Sequence, residues 1–293
     1  MKPAISSKKH RSPETDAILL RSQKVLLKQW DELLRLRRCV LKGAAPDDIH
    51  DLRVASRRLR ASVGLFAPLS GAGSIGGLKR NLRKLTRSLG GLRNIDEALL
   101  FFQSHAPLEN AEDSRLGGVL AEMRTVELKR IHKVLKAFDH KQLDKSLHKI
   151  AKGLAADRIR VGDRRSLTTF FSEISVKLFQ PILDLLASAT DPEQRESRHA
   201  LRIAIKKWRY FLEIMAPVLE RDYGVELGLL KEYQTALGRM NDVAEFTRLC
   251  RNINLSAAER EHIEKILLAE DQLLLENFAG LAGCSPLTGT FEP

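Results

Sequence analysis

Apolar residues recur every three to four positions along nearly all of this chain, the spacing that gives an α-helix one buried face. The pattern is sharpest around His50. At about 100° per residue, with His50 at zero, Leu52, Ala55, Leu59, Val63 and Phe66 collect between about 140° and 220°. Arg53, Arg57 and Arg60 fall between about 280° and 340°, beside His50, and Arg58 lies off to the side. One face is therefore apolar, while the opposite one carries a histidine and three arginines. A solvated face ordinarily mixes acids with bases to limit self-repulsion, and this one does not.

The same arrangement returns in the second half. His199, Arg202, Lys206, Lys207 and Arg209 repeat the spacing of His50, Arg53, Arg57, Arg58 and Arg60, and Leu201, Ala204, Trp208, Leu212 and Met215 repeat the apolar side. Two basic amphipathic helices with one His and cation spacing point to an internal duplication.

Between and around them the periodicity predicts further helices. Ser12-Pro13 reads as a cap and first turn of a helix running to about Lys42, with residues 1–12 as a flexible basic tail. That helix carries a second basic stripe, Arg21, Lys24, Lys28 and Arg35, opposite Leu19, Leu26, Trp30 and Leu33. Gly43 to Asp47 breaks it and starts the His50 helix, which runs to about Pro68; a third helix follows from Leu78, with Leu89-Gly90-Gly91 expected to kink or interrupt it. A fourth spans about 112–138. Residues 139–163 read as a connector holding a short helix, after which helices at about 166–189, 192–219, 224–251 and 256–280 repeat the plan, leaving 281–293 as a tail. Leu237-Gly238, followed by Asn241-Asp242, echoes Leu89-Gly90 followed by Asn94 and Asp96. No strand survives this pass. The fold class is all-α, two four-helix units (about 13–138 and 164–280) packed as one body.

Composition sharpens the functional reading. A formal charge of +12 and 5% aromatics suit a Leu/Ala-rich helical protein attracted to polyanions. The charge is uneven: residues 1–100 hold 21 Lys/Arg against 9 Asp/Glu, so the remainder is neutral. Cys39, Cys250 and Cys284 are odd in number and far apart, which argues against a disulfide framework or a thiolate zinc site and fits a reducing cytosol. No apolar run approaches the roughly 20 residues of a membrane span, and no signal peptide is legible, so a soluble cytoplasmic protein is expected.

At these residues the chain resembles the CHAD family, the conserved histidine α-helical domain. His50-x-x-Arg53-Val54-Ala55-x-Arg57-Arg58-Leu59-Arg60 resembles its first signature, His199-x-x-Arg202-x-x-x-Lys206-Lys207-x-Arg209-Tyr210 its second, and the Leu-Gly segments its third-helix motifs. The likeness covers about 13–280. It implies two four-helix bundles related by pseudo-twofold symmetry around a basic groove or pore, and binding of inorganic polyphosphate with no catalysis and no cofactor. It also allows association with polyphosphate or polyester storage granules. Many relatives carry a triphosphate-tunnel hydrolase domain ahead of this one; none is expected within these 293 residues, which contain no Glu-x-Glu-x-Lys signature.

Carried onto this sequence, the expected polyphosphate ligands are His50, Arg53, Arg57, Arg60, His199, Arg202, Lys206 and Arg209, with Lys24, Lys28, Arg35, Arg83 and Arg87 added from their stripes. Arg suits planar, bidentate recognition of phosphate, and Lys supplies a compact charge. The track is expected to be lopsided, since the first helix of the second half offers only Arg164, Arg165 and Lys177. Other roles stand beside these. The histidines could bond across the bundle interface; a metal site is disfavoured because neither has a ligand partner at i+3 or i+4. Residues 79–87 read equally well as a solvated face. Asn94, Asp96, Asn241 and Asp242 fit helix caps, their commoner role beside a break, or ion-pair partners that orient the cations. Trp30 and Trp208 sit on apolar faces and are read as core, which weakens a single-stranded nucleic-acid reading. Nucleic-acid or scaffold binding through the same basic surface is the alternative.

Overall fold

The computed structural model describes residues 12–73, 75–105, 115–155 and 167–291. Among them lie nine α-helices and no strand: α1 (Pro13–Lys42), α2 (Pro46–Ser70), α3 (Gly76–His105), α4 (Arg115–Lys136), α5 (His140–Ala155), α6 (Leu167–Ala189), α7 (Arg195–Leu219), α8 (Gly224–Arg251) and α9 (Ala257–Cys284), with a short 3-10 turn at Leu287–Thr290. Local signals set the boundaries. Ser12 caps α1 by accepting the Thr15 amide at 3.2 Å, with Pro13 in the first turn and Glu14 and Asp16 beside the positive end of the dipole. Ser256 caps α9 in the same way through the Glu259 amide at 3.2 Å.

Each half runs through the same order of neighbours. α1 packs on α2, α2 on α3 and α3 on α4; α6 packs on α7, α7 on α8 and α8 on α9. The halves meet where α7 lies against α1 and α2, and α8 against α3, and one apolar cluster spans both. Every apolar residue of the two histidine helices named above is buried, from Leu52 to Phe66 on α2 and from Leu201 to Met215 on α7. Burying those faces against one core turns the opposite, cationic faces of two adjacent helices outward together.

Three expectations need correction. Leu89-Gly90-Gly91 does not interrupt α3, which is continuous from Gly76 to His105; the tertiary packing of Leu85, Leu89 and Leu92 outweighs the weak helix propensity of two glycines. The stretch read as a connector contains α5, which is built into the first half: it packs on α1 and α2, buries Leu143, Leu147, Ile150 and Leu154, and takes the Trp30 indole N–H on Asp144 Oδ1 at 2.8 Å. The segment read as a C-terminal tail closes the second half. α9 continues to Cys284, Tyr233 donates its hydroxyl to the Ser285 carbonyl at 2.8 Å, Leu287 is fully buried, the Trp208 indole donates to Thr290 Oγ1 at 3.3 Å, and Phe291 stacks on Phe179 at 4.7 Å. A short segment with two isolated apolar residues has no period to read, so only packing reveals it. The N-terminal tail to residue 11 and the pair Arg164-Arg165 lie outside the described residues. Among the described residues no helix is long and apolar enough to cross a membrane.

α5 approaches α2 closely enough to demand glycine. A Cβ on Gly153 would lie 2.1 Å from the Ser70 carbonyl oxygen, whereas one on Gly118 of α4 would meet nothing within 4 Å. Gly153→Ala should therefore lower stability by about 1–3 kcal/mol through overpacking. Gly118→Ala should raise it by up to about 1 kcal/mol. Denaturant unfolding of both variants checks the opposite signs.

Candidate functional site

The cationic faces of α2 and α7 open into one cleft of about 510 Å³, with walls from α2, α3, α7 and α8. His50, Arg53 and Arg57 reach it from α2, and His199, Arg202, Lys206 and Arg209 from α7, so seven of the expected ligands line a single space fed by both halves of the chain. Spacing alone arranges this: residues at i, i+3 and i+7 share a helix face, and the buried apolar face fixes which way that face points. α3 adds Arg93, and α8 adds Lys231 and Arg239. The lining thus contains eight lysines and arginines against three carboxylates, Glu97, Asp242 and Glu245.

Contacts within the cleft fix several of these groups. Arg53 donates from Nη1 to the Thr86 carbonyl on α3 at 2.9 Å. The guanidinium passes over Gly90, where a Cβ would sit 3.1 Å from Nη1, so the Leu-Gly motif provides passage for the arginine rather than a helix break. On the α8 side Asn241 Oδ1 accepts from Arg202 Nη2 at 2.8 Å and lies 3.1 Å from His199 Nδ1. Asn241 is thus a positioning residue, and Asp242 is half-buried beside it, facing Arg202, Lys206 and Arg93. Arg93 is ion-paired with Glu97. Arg209 lies 3.3 Å from Glu213, which also takes Arg58 at 2.7 Å, tying α2 to α7 at the edge of the cleft. Asn94, Asp96, Asn241 and Asp242 all lie within uninterrupted helices, so capping, the commoner reading of such residues, is excluded for them. Asp96 instead holds Arg124 of α4 at 2.7 Å.

Crowding like charges away from water has a visible electrostatic cost. Burial, then Arg57, Arg202 and Arg93, pushes the Arg53 guanidinium down to about 10. Burial, then Arg202, Arg57 and Arg53, pushes the Lys206 ammonium down to about 7. Arg202, Arg93 and His50 are lowered as well, each chiefly by burial. Asp242 is raised by its own burial, against the pull of Arg202 and Lys206. Desolvation and like-charge repulsion both disfavour the protonated bases, so the cleft is short of negative charge.

The remaining expected ligands lie elsewhere. Arg60 does not line the cleft but is lowered by burial and by Arg57, Arg83 and Arg87, so these four arginines share one field that continues from its mouth along α2 and α3. Arg83 and Arg87 are exposed there, as are Lys79, Arg80 and Lys84. The α1 stripe does not join. Lys24 is exposed, Lys28 borders a separate cleft with Glu32, Asp51 and Glu213, and Arg35 holds Glu32 through two bonds of 2.7 Å. Arg21 of the same stripe donates to the Val218 carbonyl at 2.7 Å and pairs with Glu220, joining α1 to the end of α7. Arg93, Lys231 and Arg239 were not anticipated. Arg93 and Arg239 could have been found by extending the Leu-Gly repeat, since each follows closely on its glycine pair or glycine; Lys231 has no such signal. Trp30 and Trp208 are core residues, and Tyr210 lines the cleft while being largely buried.

If the charge on Lys206 is destabilising, removing it should help the free protein. Its folded value near 7 lies below the ordinary 10.5, so the cost is complete below neutrality and fades as the pH rises towards 10.5. Lys206→Met should therefore raise Tm by roughly 2–4 °C for each kcal/mol recovered. Melting curves at about pH 6 and about pH 9.5 should show the larger gain at the lower pH.

Solved structures and sequence comparison place this architecture. The chain superposes on the crystal structure of the CHAD domain from the plant Ricinus communis with a TM-score of 0.66 and 20% identity, covering 91% of this chain and 92% of that one. It superposes on PptA from Streptomyces chartreusis with a TM-score of 0.64 and 18% identity, covering 93% of this chain and 100% of that one. No curated protein matches its sequence. The CHAD domain profile matches residues 24–251, from within α1 to the last residue of α8, and the chain belongs to the CHAD domain family.

Proposed function

We propose that this protein binds inorganic polyphosphate in the α2–α3–α7–α8 cleft and performs no chemistry on it. The observation that carries this reading is the pooling of eight lysines and arginines from both halves around one space with three carboxylates. A linear polyphosphate presents a charge on each unit and only oxygen acceptors, which suits a track of guanidinium and ammonium donors. Binding would release condensed counterions and relieve the repulsion that lowers Arg53 and Lys206.

The histidine helices favour polyphosphate over nucleic acid. A single-stranded nucleic acid calls for exposed aromatic faces between the cations. Here both tryptophans are buried and Tyr210 is only 7% exposed. Arg60, Arg83 and Arg87 extend the same field outside the cleft, so a long chain would find further cations where it emerges. Retention of the protein at polyphosphate or storage granules in the cytoplasm would follow from that affinity.

Labelled long-chain polyphosphate, displaced by unlabelled polyphosphate, duplex DNA or RNA at fixed salt near physiological strength, tests this reading. Polyphosphate should compete far better than nucleic acid of equal charge concentration, with log affinity falling against log salt at a slope of about −4 to −6 if six to eight cations are engaged. Equal competition by DNA, or release of orthophosphate from the bound chain in the presence of divalent metal, would overturn it.

A further inference from the structure

The cleft contains one group whose chemistry differs from that of its neighbours. Lys206 lines the cationic wall, half-buried, and makes no hydrogen bond or ion pair among the described residues. From α2 Arg53 and Arg57 face it, from its own helix Arg202, and from α8 the single carboxylate of Asp242. An arginine keeps its proton in such company, whereas an amine placed next to other cations and partly out of water gives its proton up more readily, and its neutral fraction is a nucleophile. Lys207, the adjacent residue, points to solvent and supplies an internal standard.

We propose that Lys206 is a site of covalent acylation by small acyl phosphates, which the cleft gathers by their phosphate and presents to the Lys206 amine. The inference rests on the reading of the cleft as a phosphate-binding site. The Lys206 nitrogen forms a bond to the acyl carbon, the bond from that carbon to the phosphate oxygen breaks, its electron pair leaves on inorganic phosphate, and the surplus proton on nitrogen passes to solvent. Burial, with the help of Arg202, Arg57 and Arg53, depresses the ammonium to about 7, and the same arginines would hold the leaving phosphate, so one cluster supplies both the nucleophile and the leaving-group site. The product is a neutral amide in the middle of the track, so acylation removes a cation that the polyanion would use, and a bound polyanion covers the amine.

The full chain would be incubated with acetyl phosphate, and in parallel with an uncharged acetyl ester, with and without excess polyphosphate. Peptide mass spectrometry would follow initial acetylation at Lys206 and Lys207. The expected result is acetylation of Lys206 by acetyl phosphate at least about tenfold faster than of Lys207, with polyphosphate suppressing only the Lys206 reaction. Lys206 reacting no faster than Lys207 with either reagent overturns the inference and leaves polyphosphate binding, read by direct titration, standing. Lys206 reacting fast with the neutral ester but gaining nothing from acetyl phosphate, and unprotected by polyphosphate, overturns both, because the cleft then takes no phosphate.

Discussion

The structure depends on a conflict between burial and charge. The apolar faces of α2 and α7 must both reach the shared core, and once they do, their cationic faces have nowhere to go but the same cleft. Water then solvates these groups incompletely, and their mutual repulsion adds to the desolvation cost, which is why a lysine and several arginines are less basic there than in solvent. A folded protein tolerates such a cluster when the rest of the core is sound, and binding sites are where stability is commonly given up for function. A bound phosphate chain would supply the missing negative charge along its whole length. The same arrangement therefore explains the electrostatic cost and suits the proposed ligand.

The supporting shell limits that cost without cancelling it. Arg53 is anchored on the Thr86 carbonyl through the gap left by Gly90, Arg202 on Asn241, and Arg209 near Glu213. Asp242 sits among Arg202, Lys206 and Arg93 and offsets part of their repulsion, while the cleft keeps a large excess of positive charge. These contacts also lower the mobility of the donors, so a ligand meets groups already in place. Their loss would scatter the cations without removing any of them.

Much of this was legible in the sequence, for a physical reason that also marks where reading fails. Periodicity reports which face of a helix is buried, so α1, α2 and α6 to α9 could each be located from their own apolar spacing, and the two cationic faces from that of Leu52 to Phe66 and Leu201 to Met215. The partner of a face is not a local property. Arg21, Lys28 and Arg35 form a stripe like that on α2, yet Glu32 of α1 itself interrupts it and α1 meets Glu220 and Glu213 of the second half, so its cations are spent or diverted. The glycines of Leu89-Gly90-Gly91 suggest a break because a glycine's local effect is to loosen a helix; here the missing Cβ at Gly90 makes room for Arg53, which is distant in sequence and comes close only once α2 and α3 are side by side. For the same reason α5 and the 287–291 segment showed their roles only through Asp144, Leu287 and Phe291.

The claim at the centre is that both halves hold one ligand. Polyphosphate affinity at fixed salt and pH, measured for Arg53→Ala on α2, Arg202→Ala on α7 and the pair, tests it most directly. Each single change should weaken binding by about tenfold or more, as expected for a lost charge-assisted bond. The pair should depart from simple multiplication, because the two arginines share a ligand and a field. Wild-type affinity in either single variant, with its fold intact by melting, would mean that only one half carries the site and would contradict the account.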